Sequence, residues 1–196
     1  RSQYILTIRD VTELQRLEKN IRYKLSKTGL TATHHFEDIK TVDEGMKHVI
    51  RQAEVMARYS APILIQGESG TGKELFAQSI HNASDRRHGP FVAINCAALP
   101  TDLLESELFG DVGGSVTGAR KEGKAGLFEM AHNGTIFLDE INSMAPSIQS
   151  KLLRVLETKQ VMRLGSDYVI PLDIRIISAS NADIIAAVQA GSFRRD

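Results

Sequence analysis

The stretch Gly67, Glu68, Ser69, Gly70, Thr71, Gly72 and Lys73 places three glycines and one lysine within a single turn, and Glu74 follows at once. Glycines so spaced let a backbone curl until several N–H groups point at one anion, and a lysine closing the curl reaches the outer phosphates of a nucleotide. The spacing G-x-x-x-x-G-K is met in full. Glu74 stands where a serine or threonine hydroxyl usually meets Mg²⁺, so a metal at this turn must be held mainly by water and by a carboxylate from elsewhere. Asp139 and Glu140 offer one. The first can hold Mg²⁺ while the second polarises a water for attack on a γ-phosphate. The chemistry these residues suit is the binding and hydrolysis of ATP.

For these groups to meet, the chain must bring distant segments to one edge. The glycine turn follows the apolar run Ile63, Leu64, Ile65 and precedes a helix-like stretch through Leu75, Phe76 and Ile80. Three further runs occur, at Phe91 to Ile94, Thr135 to Leu138 and Ile174 to Ile177. Each is bounded by turn residues and separated from the next by a helical pattern, as expected of parallel strands buried on both faces. Strand ends in such a sheet gather on one side, which puts Asp139 and Glu140 opposite the phosphate turn. The fourth run leads into Asn181, placed to hydrogen-bond the γ-phosphate or the attacking water; read alone, Asn181 is equally a helix N-cap. The fold expected is α/β, a parallel sheet flanked by helices with ligand at its strand ends, an arrangement that resembles a P-loop NTPase core.

The remaining segments read as supports. From Asp43 onward Met46, Val49, Ile50, Ala53, Met56 and Ala57 recur at helical spacing, an amphipathic helix whose methionines fill the core. Residues 146–157 form another, with Ile148, Leu152, Val155 and Leu156 on one face, and residues 161–172 read as a hairpin. Near the start, Tyr4 to Ile8 suit a short strand, and Asp10 to Glu13 a capping box for a helix bearing Leu14, Leu17, Ile21 and Leu25. That seam spans under two heptads and serves a coiled coil or a surface helix equally well. Residues 26–35 read as a loop, in which His34 and His35 are adjacent and not spaced for a metal.

The balance of 24 basic and 24 acidic residues in 196 gives no field that would attract nucleic acid or a membrane surface. Cys96 is the only cysteine; it suits a small buried apolar site in a reducing cytoplasm and excludes an internal disulfide. No apolar run approaches the ~18 residues of a membrane span, and no signal-peptide pattern opens the chain. Arg1 and Asp196 at the two ends suggest cuts through a longer protein.

With these pieces the sequence resembles AAA+ ATPases. Glu-Ser-Glu-Leu-Phe-Gly at 105–110, Gly-Ser-Val-Thr-Gly-Ala at 114–119, Gly-Leu-Phe-Glu at 126–129 and Gly-Thr-Ile-Phe-Leu-Asp-Glu-Ile at 134–141 are similar to the sigma-54 interaction domain of bacterial enhancer-binding activators. The resemblance covers residues 36–196; residues 1–13 resemble the edge of a PAS sensor and 14–35 its signalling linker. It implies a hexamer-like ring with ATP between subunits, whose hydrolysis moves a loop that engages sigma-54 and remodels the RNA polymerase holoenzyme. By the same resemblance Gly67 to Lys73 bind phosphates, Asp139 binds Mg²⁺, and Glu140 activates water. Asn95 holds Glu140 in check, Asn181 is the first sensor, and Arg194 is an arginine finger for a neighbouring subunit. DNA would be bound by a domain outside this chain.

Two departures accompany it. The partner loop Gly114, Ser115, Val116, Thr117, Gly118, Ala119 carries Val116 where the family has an aromatic, which leaves open a second reading, a nucleotide-dependent assembly switch that does not contact sigma-54. A chain ending at Asp196 also lacks the helical lid and second arginine finger of the family, so weak hydrolysis is expected of it alone.

Overall fold

The computed structural model describes residues 29–113 and 123–195. The expected sensor edge, the helix seam from Leu14 to Leu25 and the partner loop at 114–119 lie outside the described residues. Four strands, β1 (Ile63–Gln66), β2 (Phe91–Asn95), β5 (Thr135–Asp139) and β8 (Arg175–Ser180), form one sheet in the order β1-β8-β5-β2. All three pairings are parallel. Sequence-distant β8 therefore lies between the strand that leads into the glycine turn and the strand that ends in the carboxylates.

Helices cover both faces. On one side α1 (Glu44–Ala57) and α2 (Lys73–Asn82) bury Phe76, Ala77 and Ile80 against Phe91, Phe137 and Ile177. On the other α3 (Thr101–Phe109), α4 (Leu127–Met130) and α5 (Pro146–Thr158) pack Leu104, Leu108, Phe128, Ile148, Leu152 and Val155 against Val92, Ile136, Leu138 and Ile176. Successive residues of β5 thus serve opposite cores, which explains its unbroken apolar run. A short helix α6 (Ile184–Gln189), capped by Asp183, follows β8.

Two small ribbons complete the chain: β3 (Gly110–Asp111) with β4 (Lys124–Ala125), and the expected hairpin as β6 (Gln160–Met162) with β7 (Val169–Pro171). Gly126 admits no side chain here, since a Cβ would lie 2.4 Å from the Phe109 carbonyl carbon.

Three expectations need correction. Met46 packs on the core, but Met56 is 49% exposed, because the helical stripe is narrower than its apolar count implies. Residues 30–35 are not a free loop: Leu30 packs on the core and its carbonyl accepts from the Phe91 N–H at 3.0 Å. The fourth strand runs past Ile177 to Ser180, and its first residue, Arg175, is only 1% exposed. Arg175 Nη1 and Nη2 donate to the Ala57 and Met56 carbonyls at 2.9 and 2.8 Å, so a buried cation closes the C-terminal end of α1. Burial lowers its pKa from the ordinary guanidinium value.

Candidate active site

The glycine turn joins β1 to α2, and its backbone takes the shape the glycines allow. Gly70 and Gly72 have φ of 79° and 84°, the left-handed region that side chains disfavour. Gly72 is the N-cap of α2, so the first-turn N–H groups, which no intrahelical carbonyl can reach, open into the curl. The turn is fastened to the neighbouring strand by the Gly67 N–H donating to the Ser180 carbonyl at 3.1 Å. Lys73 Nζ donates to the Gly67 and Glu68 carbonyls at 2.9 and 2.8 Å, which holds the ammonium over the loop where an anion's outer charge would lie. Thr71 Oγ1 closes the turn on the Glu68 carbonyl at 2.8 Å.

Asp139 ends β5 in register with Asn95 of β2, while Gln66 of β1 is in register with Ser180 of β8. The phosphate turn, Asn181, Asp139, Glu140 and Asn95 therefore share one sheet edge. Two strand spacings separate β1 from β5, about 10 Å, room for a phosphate and a hydrated cation. Asp139 Oδ1 accepts from the Glu140 N–H at 2.9 Å, leaving Oδ2 for a metal. Among the described residues no cluster of three or more His, Cys, Asp or Glu could form a protein cage for a metal. A single carboxylate beside a phosphate cradle fits Mg²⁺, which keeps most of its waters and takes substrate oxygens.

Glu140 has φ 52° and ψ 45°, a left-handed conformation uncommon for a residue with a side chain. The chain turns there from β5 into a 3₁₀ turn, Ile141–Ser143. Asn181 Nδ2 approaches Glu140 Oε1 at 3.5 Å, at the long limit of a hydrogen bond. Ser180 Oγ donates to the Ala182 carbonyl at 2.7 Å and lies 3.0 Å from Asn142 Oδ1, tying the two strand ends together beneath that contact. Asn95 sits at the same edge, but its Oδ1 accepts from the Ala97 N–H at 2.8 Å. The described carboxamide partner of Glu140 is accordingly Asn181.

Arg194, beyond α6, is bonded to the first turns of α5. Its N–H donates to Gln149 Oε1 at 2.9 Å and its Nη1 to Ser150 Oγ at 3.0 Å. Gln149, 5% exposed, also donates to the Met144 carbonyl at 2.8 Å and so fixes the chain end to the helix start.

Cys96 follows β2, and its N–H donates to the Asp139 carbonyl at 2.9 Å. It is buried, as expected, and burial, with the nearby Asp139 and Glu140 charges, pushes its thiol up to about 12. The folded state therefore keeps its proton while the unfolded chain loses it above pH ~8.5, so this thiol withdraws stability as pH climbs from there toward 12. Iodoacetamide at pH 8 should leave Cys96 unlabelled in the folded protein and label it in urea; rapid native labelling would contradict its burial.

The residues that precede 114–122 are joined to the hairpin. The Val112 N–H donates to the Leu164 carbonyl and the Leu164 N–H to the Gly110 carbonyl, at 3.1 and 2.9 Å. Arg163 makes a two-point ion pair with Glu129, Nε to Oε1 at 2.8 Å and Nη2 to Oε2 at 2.7 Å, and Glu129 Oε1 also accepts from the Gly126 N–H at 3.2 Å. That bonding raises the Arg163 pKa. Sequence reasoning singled out neither Arg163 nor Gln149. A buried-face glutamine in an amphipathic helix was the available signal for the second.

The family model described as "Sigma-54 interaction domain" matches residues 39–196. The transcriptional activator RocR of Bacillus subtilis is 49% identical over 188 residues, 96% of this chain and 40% of RocR. The transcriptional regulatory protein GlrR of Escherichia coli is 51% identical over 160 residues, 82% of this chain and 36% of GlrR. The chain thus spans well under half of these relatives. Among solved structures, NtrX from Brucella abortus in complex with ATP superposes with a TM-score of 0.73 at 32% identity, covering 95% of this chain and 38% of that one. The P-loop NTPase domain described as that of a sigma-54 transport activator from E. coli, 15% identical with a TM-score of 0.51 over 77% of this chain and 84% of that one, shares the fold.

Proposed function

This chain belongs to the sigma-54 interaction domain family, and from that premise we propose that it is the ATP-hydrolysing core of a transcription regulator that remodels sigma-54 RNA polymerase holoenzyme. The observation that carries the reading is the shared sheet edge, where the Lys73 cradle, Asp139 and the Asn181–Glu140 contact face one another. Gly67 to Lys73 bind the phosphates, and Asp139 holds Mg²⁺, which on binding neutralises phosphate charge. Glu140 orients the attacking water. Asn181 reports the nucleotide state by keeping or releasing Glu140, while Asn95, whose Oδ1 is engaged by the Ala97 N–H, acts on Glu140 through its Nδ2 donor. Arg194, whose described bonds go to Gln149 and Ser150 of α5, serves a neighbouring subunit in a hexamer-like ring. A PAS-like sensor ahead of residue 14 and a DNA-binding domain elsewhere in the protein complete the proposal.

The Glu129–Arg163 pair and the backbone bonds at Leu164 support transmission, since they join the base of the partner loop to the hairpin as one body. A movement of α5, which leads into β6, is then passed to both together. The competing reading, an assembly switch that does not touch sigma-54, is favoured by Val116, which lacks the area of the aromatic it replaces.

The test is complex formation between full-length protein and sigma-54 with ADP–aluminium fluoride. A stable complex formed only with the analogue is the expected result. Absence of binding by the natural protein, with binding gained in Val116→Phe, would establish the switch instead.

A further inference from the structure

One side chain near the phosphate turn has no part in the chemistry above. Gln78, on α2 and 9% exposed, uses both ends of its amide. Its Oε1 accepts from the Thr33 N–H at 2.8 Å and the His34 N–H at 3.2 Å, and its Nε2 donates to Glu74 Oε1 at 3.0 Å. One turn further along, Asn82 Nδ2 donates to the His34 carbonyl at 2.7 Å. Two amides of α2 therefore grip residues 32–34, the stretch through which the chain enters the domain. The upper one also holds Glu74, the residue directly after Lys73.

Glu74 sits in the first turn of α2, where its charge and a bound polyphosphate compete for the same N–H dipoles. Its bond to Gln78, one turn toward the helix C-terminus, draws the carboxylate along the helix flank and away from the curl. A carboxylate released from that bond is free to swing toward the phosphates and repel them.

We propose that Gln78 is a positioning residue for nucleotide binding: it couples the Thr33–His34 backbone to Glu74, so that shifting residues 32–34 frees Glu74 toward the phosphate turn and weakens binding of a nucleoside triphosphate. This rests on the reading of the turn as an ATP site. It gives the entering segment a direct route to the affinity of that site, distinct from the Asn181–Glu140 contact, which acts on hydrolysis.

The test is a double-mutant cycle in the full-length protein, read as KM and kcat for ATP and as ATP affinity by titration. Gln78→Leu should raise KM about three- to tenfold and leave kcat within about twofold, because only the placement of a charge changes. With Glu74→Gln already present, Gln78→Leu should move KM by less than about 1.5-fold, since the charge it restrains is gone. Should Gln78→Leu fail to fold, Gln78→Glu keeps the acceptor for Thr33 and His34 and places a like charge beside Glu74; its KM should rise and return when Glu74→Gln is added. An unchanged KM, a loss confined to kcat, or the same KM rise in both backgrounds would overturn the proposal. If the parent protein itself neither binds nor turns over ATP, the ATP-site reading fails, and this inference with it.

Discussion

Glu140→Gln is expected to bind ATP as tightly as the parent and to turn it over about 10²- to 10⁴-fold more slowly, the range for loss of a positioned general base. The amide has the size of the carboxylate, so the left-handed backbone at 140, the Ile141–Ser143 turn and the Asp139 Oδ1 bond to the 140 N–H all persist. What disappears is the carboxylate that Asn181 contacts, the acceptor placed to take a proton from the attacking water. Phosphate release and equilibrium binding of a fluorescent ATP analogue separate the two effects. Turnover within tenfold of the parent would remove Glu140 from the mechanism and leave Asp139 as the sole carboxylate of consequence.

Lys73→Ala should act earlier, on binding itself. The ammonium lies over the Gly67 and Glu68 carbonyls, placed to exchange those neutral acceptors for phosphate oxygens, and charge-assisted bonds of that kind are about twice as strong as neutral ones. Losing them should weaken ATP binding by about 10²-fold or more. The carbonyls left behind face solvent or the rest of the turn, so melting temperature without nucleotide should barely move. The informative readout is therefore the loss of thermal stabilisation on adding ATP and magnesium. A variant still stabilised as strongly as the parent would show that the nucleotide grips the chain elsewhere.

Much of this site was legible before any coordinates. Glycine spacing, a lysine and a helical pattern define a phosphate turn by local geometry alone, and apolar runs ending in Asp139 and in Asn181 announce strand ends. Parallel pairing then puts those ends together without further information. Three features were not legible because each depends on what lies beside it in space. The insertion of β8 between β1 and β5 is what lets Asn181 touch Glu140, and nothing local to either residue encodes it. Met56 fell on the exposed flank of α1 because helical spacing gives the period of a stripe but not its width. Arg175 lies inside an apolar run with nothing local to mark its role; it is a buried clamp whose partners lie 118 and 119 residues away.

The backbone at Glu140 carries a last implication. A left-handed turn is a place where glycine relieves crowding and an acidic side chain does not. Drift toward greater thermal robustness would favour glycine at this spot, and the molecule would hold together better while losing its means of splitting a phosphoanhydride. That a carboxylate occupies it marks the position as one where endurance has been surrendered in exchange for work.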